Sequence, residues 1–227
     1  MERQQLARRY LDGQMGRRVF LRRLVGFGVA LPAAIAYADL LRADPAAAAF
    51  YDYYIGVQDF SYFPALQKTM FVGQVIEWGF QGSSYTHSTT DPTQVIDSGF
   101  KAQWNVYDAT MPFSGTFHYH CAETTHPANP MKGTIKVPMS VSPASGPLTT
   151  TFTLGWSQIS GDPAHSFDVQ RKRPSDTTWQ NWITGTLDRG IQYTPIAKGT
   201  YSFRTRTRST GPGKTSGWSP ARKILVT

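Results

Sequence analysis

Short alternations of apolar and polar residues, broken by turn formers, recur along most of this chain. Ile55 and Val57 lead through Phe60 to Phe63-Pro64, which predicts a first strand that ends or bends at the proline. Thr69–Val72 runs into the turn pair Gly73-Gln74. Val75-Ile76-Glu77-Trp78 then predicts a strand with Val75 and Glu77 on one face and Ile76 and Trp78 on the other. In Asp91–Phe113, the residues Trp104, Tyr107 and Met111-Pro112-Phe113 predict core and edge packing. Farther on, Phe117, Tyr119 and Cys121 share one strand face while His118 and His120 take the other. Val137–Ser142 reads as a short connection to a second set of strands, Phe152–Trp156, Phe167–Lys172 and Tyr201–Arg208, with a last one after Trp218-Ser219-Pro220.

The pattern predicts an all-β chain of two β-sandwiches in tandem behind an N-terminal signal helix. Composition agrees: 20 Gly, 15 Pro and 13% aromatic residues favour short strands and turns. At 227 residues there is material for two small domains, expected at 50–138 and 139–227. The net charge of +8 is unevenly spread. Residues 50–140 carry four Lys against seven acids, whereas residues 141–227 carry eleven Lys and Arg against four Asp. That asymmetry separates the two parts, and no nucleic-acid-binding module accompanies it.

Residues 1–49 read as an address. Gly16-Arg17-Arg18-Val19-Phe20-Leu21-Arg22 resembles a twin-arginine export signal, followed by the apolar run Leu24–Ala38. Ala36-Tyr37-Ala38 and Ala46–Ala49 are candidate cleavage sites. The run is shorter than the ~20 residues a span requires. The expectation is an exported protein, periplasmic, cell-surface or secreted, with no stable membrane span once the signal is removed.

The candidate chemistry lies in Ser114–Val137. The single cysteine, Cys121, is followed by His126 and then Met131. A thiolate, an imidazole and a thioether on one loop are the set that a blue-copper site draws together, since soft sulfur suits Cu(I) and imidazole suits both oxidation states. A second imidazole must come from elsewhere, and His87 in Gly82–Asp91 is the candidate. A lone cysteine also excludes an internal disulfide.

Across Phe50–Pro138, GTFHYHC running into H-x4-M and KGTIKV resembles the cupredoxins, the plastocyanin and azurin type of small copper protein. The resemblance implies one type 1 copper held by His87, Cys121, His126 and Met131, with His126 the electron port. Family members commonly have Asn after the first histidine, where this chain has Ser88, which predicts less rigid ligand loops. His118-Tyr119-His120 matches the H-x-H of multicopper oxidases, but Ala122 stands where those enzymes need a histidine, and no second copper unit is present. The stretch from Phe152 to the C-terminus resembles a fibronectin type III domain.

These readings imply a carrier of single electrons meeting a redox partner protein transiently, and not an enzyme, because four ligands would leave the metal no open position. Two other functions use the same residues: copper handling without redox turnover, and metal-free adhesion at a cell surface. In the second part, Arg204, Arg206 and Arg208 share a face near Trp218, which predicts a cation–π ladder. Alternatively Arg171, Arg173, Arg204 and Arg206 serve an acidic protein or an anionic cell-surface polymer.

Overall fold

The computed structural model describes residues 6, 10, 17–26, 34–35, 38, 52–64, 67–123, 131–161, 164–211 and 213–227. Met1–Asp52 forms one unit and Tyr53–Thr227 another. In the first, helix α1 (Arg17–Gly26) carries the twin arginines and buries Phe20 and Leu24, and Phe20 stacks on Tyr10. Most of Leu24–Ala38 and both candidate cleavage sites lie outside the described residues, Ala38 excepted. No described helix is long and apolar enough to cross a membrane.

Tyr53–Thr227 is all-β. The first sandwich has two sheets. One orders β2 (Ser61–Phe63), β1 (Tyr53–Gln58), β4 (Val75–Gly82) and β5 (Val106–Thr110), with β1 and β4 parallel. The other orders β3 (Gln67–Thr69), β7 (Lys132–Val137) and β6 (Gly115–His120). Facing side chains Ile55, Val57, Ile76, Trp78, Phe117, Tyr119 and Ile135 fill the space between them. Ile76 and Trp78 point inward as the alternation predicts, because a strand covered on one face must keep its apolar set there.

The second sandwich pairs β13 (Gly190–Tyr193), β10 (Phe152–Gly155) and β8 (Ser140–Ser142) in one sheet. Its other sheet orders β12 (Gln180–Thr186), β11 (His165–Lys172), β14 (Gly199–Ser209), β16 (Arg222–Val226) and β9 (Ser145–Gly146), with β15 (Lys214–Thr215) at the far end of β14. Its core is Phe152, Leu154, Trp156, Phe167, Val169, Tyr201, Phe203 and Ile224.

Three expectations change. The first strand does not run to Pro64: Asp59-Phe60 turns it back so that Gln58 faces Ser61, with Phe60 in a left-handed conformation (φ 63). Ser140–Ser142 is strand rather than connection, because its backbone pairs with β10. Trp104 is no core residue; it stands 73% exposed.

Only Pro138-Met139, both buried, separates β7 from β8, and the two sandwiches are bonded directly. Ser114 N–H donates to the Trp156 carbonyl (2.8 Å), and Thr205 Oγ1 donates to Ser114 Oγ (2.7 Å). Thr116 exchanges backbone hydrogen bonds with Gly217 (2.9 and 2.8 Å), and Phe113 meets Phe167 edge-on. The buried apolar cluster is continuous from Ile55 to Val226.

The ladder forms from Arg204 and Arg206 and gains Trp179, while Arg208 turns to Asp168 instead of a ring. The Arg204 guanidinium lies over Trp179 (4.3 Å) and Trp218 (5.1 Å), and Arg206 lies over Trp218 (4.7 Å). Arg206 and Arg208 both donate through Nε to buried Asp168. Among them they hold its carboxyl below the usual carboxylate range, although burial alone would raise it.

Glu77 faces Asp108 across β4–β5. Partial burial, with the Asp108 charge second, pushes its carboxyl up to about 7. A carboxyl whose folded pKa exceeds its unfolded one binds its proton more tightly in the native state. Its unfavourable contribution is therefore absent at low pH, sets in as pH climbs past the ordinary carboxylate range and is complete above the folded pKa. Glu77→Gln is expected to raise stability by about 1–2 kcal/mol at pH 8, discounted for its solvent exposure, and to change nothing at pH 4. Denaturant midpoints at the two pH values check this; equal shifts at both would contradict it.

Candidate metal centre

Backbone pairing brings three of the ligand candidates, His87, Cys121 and Met131, together from three places in the sequence. Cys121 follows the last residue of β6, and Met131 precedes the first of β7. The two strands pair antiparallel with His120 opposite Lys132, so Cys121 and Met131 come next to each other; Cys121 N–H donates to the Met131 carbonyl (3.3 Å). The His87 loop is stitched to the same strand end. Thr90 and His120 exchange both backbone hydrogen bonds (3.0 and 2.9 Å), and His87 does the same with Lys101 (3.1 and 2.7 Å). Asp91 closes the loop tip by accepting from Thr93 and Ile96 N–H groups.

The result is a buried pair. His87 is 0% exposed and Cys121 8%, with His87 Nδ1 3.8 Å from Cys121 Sγ. Metal bonds of about 2.0–2.1 Å to imidazole and about 2.3 Å to thiolate, set 120° apart, hold the two ligand atoms about 3.7 Å from each other. The observed separation fits two donors of one shared metal ion. Met131 is also buried, 3% exposed. The donor set of imidazole, thiolate and thioether is soft and suits copper.

Ser88 ties the two loops. Its N–H points at Cys121 Sγ (3.3 Å), and its hydroxyl accepts from Ala122 N–H (2.8 Å) while lying 3.8 Å from the same sulfur. The expectation that serine leaves the loops loose is overturned: the short hydroxyl reaches the backbone on the far side directly. Donors aimed at the sulfur fix its position. Beneath it, Tyr62 donates to the Ser88 carbonyl (2.6 Å) and meets Tyr119 edge-on, and Tyr119 meets Trp78 in the same way. Burial pushes the Tyr62 and Tyr119 phenols well above their ordinary range, so both stay neutral. Gly133 makes room for this column, since a Cβ there would lie 2.0 Å from the Tyr119 ring.

The far nitrogen of His87 has a partner that the sequence did not reveal. Asp59, in the β1–β2 turn, places Oδ1 3.3 Å from His87 Nε2. Desolvation raises this carboxyl, but the Ser84 N–H, His87, the Ser83 hydroxyl and the Tyr85 N–H outweigh that effect and hold it below the usual range. A carboxylate accepts only, so it keeps the proton on Nε2 and makes Nδ1, the nitrogen nearer Cys121, the lone-pair donor of the ring.

His126 lies outside the described residues. Among the described residues, no three His, Cys, Asp or Glu cluster as a metal-holding group; the described candidates are His87, Cys121 and the thioether of Met131. His118 and His120 face away from the buried side, as alternation predicts, and His118 instead meets Thr134 Oγ1 (3.1 Å).

The chain matches no family model and no curated protein. Solved structures similar to it include a purple cupredoxin from Nitrosopumilus maritimus, at 18% identity and a TM-score of 0.32, covering 38% of this chain and 99% of that one. A pseudoazurin from Sinorhizobium is 16% identical with a TM-score of 0.29, covering 37% and 72%. An Fn3-like protein from Clostridium thermocellum is 20% identical with a TM-score of 0.30, covering 40% and 91%. These are partial likenesses, and the chemistry of the centre stands on its own residues.

The Asp59 contact carries a prediction. Asp59→Asn keeps the shape of the turn but removes the charge behind His87, and is expected to weaken Cu(II) binding by about 10–100-fold. Competition titration against a chelator measures this; an unchanged affinity would show that the carboxylate does not support the ligand.

Proposed function

We propose that this chain is an exported type 1 copper protein that carries single electrons between redox partners. The observation that carries the reading is the 3.8 Å approach of His87 Nδ1 to Cys121 Sγ inside a buried, hydrogen-bonded frame. His87 and Cys121 would hold the metal from two loops, with the Met131 thioether and the His126 imidazole as the further donors. Bound copper supplies a one-electron Cu(II)/Cu(I) couple.

The protein's part is to hold those donors still. Ser88 N–H, Ala122 N–H and Asp59 fix the sulfur, its loop and the imidazole ring respectively. Side chains held in one arrangement serve both oxidation states, so little rearrangement accompanies electron gain or loss. The aromatic floor of Tyr62, Tyr119 and Trp78 keeps water from the sulfur's inner side. A brief encounter with a partner then suffices, and such redox interfaces are small. The twin-arginine pattern on α1 supports export by a route that accepts folded proteins.

Addition of Cu(II) to the purified protein is expected to produce the intense visible thiolate-to-copper band, and Cys121→Ser to abolish it while the fold persists. Rapid reduction and reoxidation by an exogenous electron donor and acceptor separate the carrier from a copper-handling protein. A protein that stays colourless with Cu(II) would refute the assignment.

A further inference from the structure

The outward face of the β11–β14–β16 sheet is more basic than any single motif indicated. Residues paired across antiparallel strands share a face. Lys172, Ser202 and Lys223 form one such row, and Gln170 with Arg204, Asp168 with Arg206 and Ser166 with Arg208 form the next three. The face therefore presents Lys172, Lys223, Arg204, Arg206 and Arg208 against one carboxylate, Asp168. Lys223 is exposed, and Lys172 and the three arginines are half-buried. Arg171 and Arg173 do not belong to it. Arg171 turns to the other side, over Trp182 (4.9 Å), and Arg173 is held by Asp176 (3.1 Å).

The arrangement is built in advance of any ligand. The guanidinium planes of Arg204 and Arg206 lie against Trp179 and Trp218, and Arg204 Nε donates to Gln170 (2.8 Å). These stacks and inward bonds fix the arginines and spare much of the side-chain entropy that binding would otherwise remove. The inward bonds run through Nε and do not consume the terminal nitrogens, which suit the paired oxygens of a phosphate. The arginines alternate along one strand, so their charges recur every ~6.7 Å over a strip about 20 Å long, with the lysines about 10 Å apart at one end.

The geometry points to this face as a binding surface for a linear phosphodiester-linked polyol, a flexible polyanion whose charges repeat along a chain. A compact anion would need cations gathered round one point, and these are laid out in a line. Single-stranded nucleic acid would need open aromatic faces for base stacking, and here two guanidinium groups lie against the Trp218 ring and one already occupies a face of Trp179. The surface is independent of the metal centre and works with or without copper.

Titration of the full-length protein with poly(glycerol phosphate), followed by tryptophan fluorescence, tests it. Binding is expected to saturate, to weaken steeply with added salt and to exceed binding of single-stranded DNA of equal charge. Inorganic phosphate at the same phosphate concentration is expected not to bind. Lys172→Gln with Lys223→Gln, both outside the stack and its ion pairs, is expected to lower affinity about tenfold at low salt and to reduce the slope of log affinity against log salt by about two. Absence of poly(glycerol phosphate) binding at low salt, an unchanged affinity in the double variant, or equal or tighter binding of DNA or inorganic phosphate would each overturn the proposal.

Discussion

Two backbone segments separated by more than thirty residues are held together at one serine. Ser88 offers its N–H to the Cys121 sulfur and its hydroxyl to the Ala122 N–H, so a single residue sets the distance between the histidine loop and the cysteine strand. A partly buried amide left without an acceptor costs about 1–3 kcal/mol, which makes that hydroxyl a stringent requirement. The Thr90–His120 bridge one step away aligns the same two segments through their backbones. Everything proposed for the metal centre depends on this tie: without it, imidazole and thiol are two buried side chains; with it, they are a pair of donors at metal-sharing distance.

The second sandwich bears on that centre mechanically. Ser114, at the start of the cysteine strand, is hydrogen-bonded to Trp156 and to Thr205 and Thr207 of the other half, and Thr116 is bridged to Gly217. The strand that delivers Cys121 is thus clamped near its beginning by one sandwich and at its end by the histidine loop. The outer sheet of that second sandwich, meanwhile, turns its arginine and lysine face away from its own buried core, where Phe167, Val169, Tyr201 and Phe203 lie. Shared anchoring on the inside and charge on the outside divide the work of one compact unit.

Much of this was legible in the order of residues. Period-two alternation placed Cys121 inward with Phe117 and Tyr119, and sent His118 and His120 outward, because a half-buried strand allows no other assignment. The arginine row of β14 was visible for the same reason. The rest depends on contacts between distant segments, which no local pattern encodes. Local alternation runs Asp59 into a continuing strand, yet it sits in a turn, and its value appears only when that turn meets His87 twenty-eight residues later. The value of Ser88 lies in the bond its hydroxyl makes to the Ala122 N–H, which only the fold brings within reach. Ser140–Ser142 has too few apolar residues to announce a strand, and only its pairing with β10 makes it one. Hydrophobicity alone puts Trp104 among core and edge residues, and its exposure shows how little a lone aromatic in a loop reveals.

The most direct test is anomalous diffraction at the copper edge from a crystal of the copper-loaded protein. The account predicts one strong peak bonded to both His87 Nδ1 and Cys121 Sγ, with Nε2 still facing Asp59. A peak elsewhere, or a metal held on the Nε2 side by Asp59 with the sulfur unligated, would contradict it.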